Sequence, residues 1–358
     1  MDLNIEGSAT ATGSIVRHPR SATKLRTLIS EIGQRSGEFP VLLANHLPMV
    51  LEAMGRLGAS PERLDEYAVH YNTAHKVPFL PAPVAALAEA DWLTALGRRS
   101  RETDLRDFFA DQVSRFGGDE TIARYLPTLF PGVAASATHG LMRLAYALLR
   151  RDEAEIGISL GYWAATYLAF PIRNGAGAPN PDPLVPVLAM QSEPSFRNIT
   201  LSSTLLWKFI EHMGTLPAFQ AQLGRLQPTP GLLERLRQAS LVLYAATRSF
   251  EALHAVTGCH WLRLVSPHVD HSEQLAAHWW EVVMSLYARI GMPDLPDAAT
   301  LEAWRALPVP SDAAIAAAAV ASDDEHDHSL VFSAFEEFRV FGDPLYKVVA
   351  ARRVGLIS

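Results

Sequence analysis

Apolar residues recur along this chain at intervals of three and four far more often than in strict alternation, and that spacing belongs to helices with one buried face. In LPMVLEAMGRLGAS the residues Met49, Val50, Met54 and Leu57 form such a stripe, with Asn45 placed to cap it and Pro48 tolerable only in the first turn. His46 therefore falls at a helix start. The stretch SATHGLMRLAYALLRRDEAEIGISLGYWAATYLAF predicts two helices broken near Arg151 and Asp152. Leu141, Leu144, Ala145 and Leu148 make the inner stripe of the first, and His139 lies on its first turn. PGLLERLRQASLVLYAATRSFEALHAVTGCHWLRLVSP predicts one long helical pattern whose only weak point is Gly258. SEQLAAHWWEVVMSLYARIGMP predicts a helix capped at Ser272 and Glu273 and stopped by Gly291 and Pro293. The alanines of AAIAAAAVAS suit close helix packing. Alternating stretches are short, and none is bounded by paired hairpin turns. The pattern thus predicts a loose, polar arm over residues 1–25 and one all-α domain over residues 26–358. Proline-containing loops at 78–84, 171–186, 226–230 and 293–311 separate its helical blocks.

A chain of 358 residues that is 49% apolar can bury a large core. The net charge is −7, and the 31 Lys and Arg are scattered, so no basic face marks nucleic acid or an anionic membrane as a partner. Cys259 is the only cysteine, which excludes an internal disulfide and a Cys-rich zinc framework. Residues 1–25 lack the apolar core of a signal peptide, and no window reaches roughly 18 uninterrupted apolar residues. The expected location is the cytoplasm.

The chain has no phosphate-cradling glycine loop, no G-x-S-x-G, no H-E-x-x-H and no G-x-G-x-x-G after a strand, so no flavin-binding or nicotinamide-binding motif is seen. Its chemistry rests on thirteen histidines. Five of them, His46, His139, His254, His260 and His326, fall at helix starts or in apolar helical stretches, where neutral imidazole could hold iron, copper or zinc in a buried, histidine-lined pocket. Spacing leaves their convergence open. His254 and His260 are six residues apart, about 120° around a helix, so both face one pocket only if Gly258 bends the helix or the pocket is broad. His70 and His75 near a helix end, and His268 and His271 in the polar SPHVDHSE, are expected at the surface. In DDEHDHSLVF, residues 323–332, an acidic run surrounds His326 and His328, and such a run alone reads as solvated. Trp261, Trp279 and Trp280 could line a cavity but serve equally as core, and Cys259 has no obvious base beside it.

In five segments the chain resembles the questin oxidase-like family, whose members open rings of anthraquinones and related aromatic polyketides by inserting oxygen. The segments are ANHLPMVLEAMGRLGAS at 44–60, LFPGVAASATHGLMRLAYAL at 129–148, LHAVTGCHWLRL at 253–264, and DDEHDHSLVF with FGDPLYKVVAAR at 323–332 and 341–352. The resemblance implies an all-helical oxidoreductase with a buried nonheme Fe(II), dioxygen as co-substrate and a small aromatic substrate. It places the metal ligands at His46, His139, His254 or His260, and His326, and leaves His328 without a role, facing solvent. His260 and Asp324 are the candidate catalytic residues, and Asp324 and Glu325 are candidates to orient the ligands by hydrogen bonds. One departure stands out. The family pattern Asp-Glu-His-x-x-Lys places a carbamate-bearing lysine where this chain has Ser329. Lys347 lies 18 residues further on, ~27 Å along a continuous helix, and Gly342 and Pro344 intervene. The expected function is an iron-dependent oxygenase cleaving a ring of a quinone-like compound. The alternatives are a metal-free oxygen-inserting enzyme with a histidine base, and a helical small-molecule-binding protein that lost the reaction.

Overall fold

The chain breaks into helices where its capping and left-handed residues direct, in a computed structural model that describes residues 19–171, 180–197 and 199–358. Helix α1 (Pro19–Ile32) leads through the antiparallel two-residue strands β1 (Glu38–Phe39) and β2 (Leu43–Ala44) to α2 (Leu47–Arg56) and α3 (Pro61–His75). Then follow α4 (Glu102–Phe116), α5 (Gly118–Leu129), α6 (His139–Arg150), α7 (Glu153–Ala165), α8 (Leu184–Gln191), α9 (Leu206–Thr215) and the single turn α10 (Pro217–Gln220). The remainder is α11 (Leu232–Thr247), α12 (Phe250–Val265), α13 (Ser272–Arg289), α14 (Ala298–Arg305), α15 (Asp312–Ala321), α16 (Glu325–Phe341) and α17 (Leu345–Arg353). Side chains of Ser60, Asp152, Ser249, Asp297, Ser311 and Asp324 each accept a backbone N–H in the first turn of the helix they precede, a bond worth about 1 kcal/mol per cap. The architecture is all-α, as the periodicity predicts.

Three expectations are corrected. The long pattern before residue 268 is two helices, α11 and α12, broken at Arg248, which takes a left-handed conformation, and at Ser249, which caps α12. Gly258 lies in the middle of the uninterrupted helix α12, where a Cβ would stand 2.4 Å from the Trp279 ring. It is a point of close approach to α13. The expectation of a loose arm reaching residue 25 is also corrected. Residues 1–18 lie outside the described residues, but residues 19–25 already belong to α1, whose Leu25, Leu28, Ile29 and Ile32 bury against α2 and α3. Residues 172–179 of the expected 171–186 loop lie outside the described residues as well.

At the centre, α6 packs on α12, α12 on α16, α16 on α2, and α2 on α6, closing a ring of four helices. Helix α7 backs α6 and is itself backed by α4, α11 and α13 back α12, and α15 and α17 back α16. Their interdigitated apolar faces form one large core, with a smaller one under α1 and α3. Among the described residues no helix is long and apolar enough to cross a membrane.

Candidate metal centre

Each helix of the central ring carries one histidine near its N-terminus. His46 is the N-cap of α2, His139 the first residue of α6, His254 the fifth of α12 and His326 the second of α16. The four rings meet. Their centroids lie 4.3 Å apart for His46 and His139, 5.4 Å for His46 and His326, 5.8 Å for His139 and His254, and 5.9 Å for His254 and His326. Imidazoles sharing one ion at ~2.1 Å per nitrogen have centroids roughly 4.5 to 6.5 Å apart, so the spacing fits a common metal.

The orientation fits too. Nδ1 of His46 bonds to Ala44 O at 2.9 Å, that of His139 to Ser136 O, that of His254 to Phe250 O at 2.9 Å, and that of His326 to the Asp324 carboxylate at 2.9 Å. A carbonyl or carboxylate can only accept, so each Nδ1 carries the hydrogen and each Nε2 keeps its lone pair. Nε2 of His46 and of His326 are buried without a hydrogen-bond partner. Four adjoining imidazoles in the metal-binding tautomer are a candidate donor set for a divalent transition metal, within which His46 and His326, with Glu325, bring ligand atoms within 4.8 Å of one another.

The backbone around them is built for this position. Ser136, Ala137 and Thr138 are three consecutive non-glycine residues with φ of 45°, 55° and 71°, each costing of order 1–3 kcal/mol. That left-handed turn presents the Ser136 carbonyl to His139. Tyr71, on α3, accepts the His46 backbone N–H at 2.9 Å and so ties down the start of α2. Burial lowers the pKa of His46 and His254 well below the usual value and that of His139 to about 4, with repulsion from neighbouring histidines adding to the effect on each. These three are neutral at pH 7, the state a metal needs.

Two carboxylates adjoin the cluster. Asp324 caps α16, receives the His326 ring N–H, and is paired through its other oxygen with Arg353. Burial would raise its pKa, but the bonds from His326 and the charge of Arg353 hold it well below the usual range. Asp324 thus orients His326. Glu325 reaches inward: one oxygen is 3.2 Å from His46 Nδ1, the other 4.0 Å from His75 Nε2. One ligand atom each from His46, Glu325 and His326 fall within 4.8 Å of one another. Burial, with repulsion from Asp324, pushes the Glu325 carboxyl up to about 7 against the pull of His326.

Other candidates lie elsewhere. His260 does not join the four: its Nδ1 is 2.9 Å from the Glu337 carboxylate, which also binds Arg263 at 2.7 Å, and its ring meets the edge of Phe332. The roughly 120° offset from His254 is preserved because α12 runs uninterrupted between the two residues. His328 is a correction, for it is fully buried against Tyr67 of α3 rather than facing solvent. Ser329 is buried on α16 one turn after His326. Lys347 pairs with Asp312 at 2.8 Å and stands over the Phe338 ring. His268 pairs with Asp119, while His70 and His271 are exposed. His75, expected at the surface, is half-buried against Phe39 and Tyr71, beside Glu325. Cys259 is buried against Ser240, and burial raises its pKa to a range where it is no nucleophile. Trp261, Trp279 and Trp280 are core. Two neighbours of the site escaped sequence reasoning. Tyr71 had only its place on the inner stripe of α3 to mark it, and Phe250, 4.9 Å from His254 and 4.8 Å from His326, had none.

Among known families, the questin oxidase-like model matches residues 43–332, a span that includes all four clustered histidines and Asp324. No curated protein matches the chain significantly.

Proposed function

This chain belongs to the questin oxidase-like family, and we propose that it is an iron-dependent oxygenase opening a ring of an aromatic polyketide or similar quinone-like compound, with dioxygen as co-substrate. Oxidase-type chemistry comes with the family. The ring cleavage is carried over from the family resemblance, and the metal reading is supported by one observation, the four imidazoles delivered by four helices with every Nδ1 committed to an acceptor.

His46, His139, His254 and His326 would hold the metal, which when bound supplies the redox partner for dioxygen. The protein does the rest. Asp324 keeps the His326 ring in its tautomer, and Ala44, Ser136 and Phe250 do so for the others. The four helices turn their N-terminal ends toward the centre, and these partial positive charges oppose a lone cation but favour an anion beside it. An ionised phenol of the substrate satisfies that preference. So does Glu325 when ionised, since its carboxylate lies within 4.8 Å of a ring nitrogen of His46 and of His326. Ser329, a neutral hydroxyl, supplies no anionic ligand from α16, which leaves a coordination position for substrate, water or Glu325. Phe250 gives the site an apolar edge against which a flat ring can lie.

The test is elemental analysis of protein purified without a histidine tag or added metal. Close to one iron per chain is expected, lost in His46→Ala, His139→Ala, His254→Ala and His326→Ala and kept in His268→Ala and His271→Ala. A chain with no transition metal, whose melting temperature added Fe(II) does not raise, would contradict the proposal and return the choice to a metal-free enzyme or a binding protein.

A further inference from the structure

One short hairpin holds two of the four histidines. Ala44, the last residue of β2, accepts the His46 Nδ1 hydrogen at 2.9 Å. Glu38, the first residue of β1, is the cross-strand partner of Ala44, which puts their Cα atoms roughly 4.5 to 5.5 Å apart. The Glu38 side chain reaches across to the turn before α6, where one carboxylate oxygen accepts the Ser136 hydroxyl at 2.6 Å. Ser136 is the residue whose carbonyl accepts the His139 Nδ1 hydrogen. The carbonyl that fixes His46 and the carboxylate that holds the turn of His139 therefore belong to one cross-strand pair.

The turn needs such an anchor. Ser136, Ala137 and Thr138 all have positive φ, and a run of strained non-glycine residues persists only where its surroundings over-determine it. Ala137 has no polar side-chain atom, and the Thr138 hydroxyl is buried without a hydrogen-bond partner. The Ser136 hydroxyl is thus the side-chain hydrogen bond that ties the run to another element. Its acceptor is itself held in place. Glu38 is buried, and Arg99 donates to both of its oxygens, at 2.6 and 3.3 Å. The Arg99 guanidinium lies 4.4 Å from the centre of the Trp207 ring of α9, and Trp207 Nε1 donates at 3.0 Å to the Leu42 carbonyl in the hairpin turn. Just before β1, the Ser36 hydroxyl and the Gly37 N–H donate to the Glu102 carboxylate of α4 at 2.8 and 2.9 Å. A Cβ at Gly37 would stand 2.3 Å from the Tyr162 ring of α7, so the hairpin lies directly on that helix. Helices α4, α7 and α9 together leave the hairpin one position relative to the turn.

We propose that β1 and β2 form a clamp that sets His139 against His46, and that Glu38 is its positioning residue, acting through Ser136. The proposal rests on the reading of the four histidines as a metal centre. It assigns the geometry of two of them to a carboxylate outside the donor set. Without the bond to Glu38 the left-handed run relaxes, the Ser136 carbonyl turns away, and the His139 ring is free to exchange its hydrogen between nitrogens, because the tautomer of an imidazole is set by the hydrogen bond its other nitrogen makes.

The test uses metal-free protein carrying ¹⁵N-labelled histidine, in which NMR distinguishes a ring nitrogen that bears hydrogen from one that keeps its lone pair. In wild type His139 should be the Nδ1–H tautomer alone. In Ser136→Ala, which keeps the carbonyl and loses the hydroxyl, and in Glu38→Ala, a second tautomer should appear at His139. His254, held by Phe250 on its own helix, should keep its single tautomer. Affinity for Zn(II), read by competition with a chelating dye, should fall by about tenfold or more in each variant, and the double variant should bind no more weakly than the weaker single one. Glu38→Gln, whose amide oxygen can still accept the Ser136 hydroxyl, should recover most of that loss. An unchanged His139 tautomer in Ser136→Ala overturns the clamp, and so does an equal change at His139 and His254, which would mean a general loosening of the bundle. Ser136→Ala leaves the pair of Glu38 and Arg99 in place, so it decides the matter even if Glu38→Ala fails to fold. Because the tautomer is read without metal, failure of the clamp and failure of the iron reading remain distinct.

Discussion

Acidification of the metal-free protein tests the donor set most directly. His139 is held at about 4 in the folded chain against a reference value of 6.5 once unfolded, so the fold refuses a proton that the unfolded chain accepts. Its contribution to stability is therefore complete above pH 6.5 and is lost as pH falls through the window down to 4. Between pH 7 and pH 5 that loss amounts to about 2 kcal/mol from this one residue. His46 and His254 act in the same direction. Glu325 acts in the other, because a carboxyl raised to about 7 binds its proton more tightly in the fold and gains stability as pH falls below 7. Wild-type pH dependence alone would mix these, so the measurement is a comparison. Urea denaturation in the presence of a chelator, at pH 7 and pH 5, is run on wild type and on His139→Gln, which cannot titrate. The variant should lose about 2 kcal/mol less than wild type over that interval, visible as a smaller shift of the midpoint at constant slope. Equal losses would mean that His139 does not titrate in a dry cluster, and the argument that its lone pair is presented neutral to a metal would fail.

Two further outcomes test the scaffold. Gly258→Ala would push a Cβ to 2.4 Å from the Trp279 ring where α12 packs on α13, and should destabilise by about 2 kcal/mol or more in urea denaturation, with partial loss of metal as His254 shifts. Glu155→Gln leaves the buried Arg143, 3.1 Å away, and Arg150 without their carboxylate, and should cost about 3–5 kcal/mol, whereas truncating the exposed Glu120 of the Arg124 pair should change stability by less than ~1 kcal/mol.

Much of the candidate site was legible before any packing was known, because its histidines sit at or near helix starts, and helix starts are written locally. Asn45 and Pro48 mark α2, the Arg151–Asp152 break marks the end of α6, and Asp324 followed by an apolar run marks α16. The same local grammar was silent elsewhere. Arg248 is a good helix former that here turns left-handed, and no propensity distinguishes that from a continuing helix. The acidic run around His328 argued for water, yet α3 lies across it and buries the ring against Tyr67. The choice between His254 and His260 was open for a related reason. Both occupy apolar stretches of one helix, and only the neighbours decide which of its faces looks at α6 and α16 near the centre and which meets Glu337.

What the amino-acid order settled is therefore periodic and short in range: the amphipathic pattern of the helices around the site, the break between α6 and α7, and imidazoles placed near helix starts. What it left to the folded state is the pairing of faces. Apolar stripes on α2, α6, α12 and α16 are chemically interchangeable, since burial of apolar surface has no direction, and their histidines come from distant parts of the chain. The side-chain volumes that let these four helices close a ring, with Gly258 admitting Trp279 and the left-handed turn before His139 setting its ring, bring four N-termini to one point. A metal centre is a statement about that point, and no window of sequence contains it.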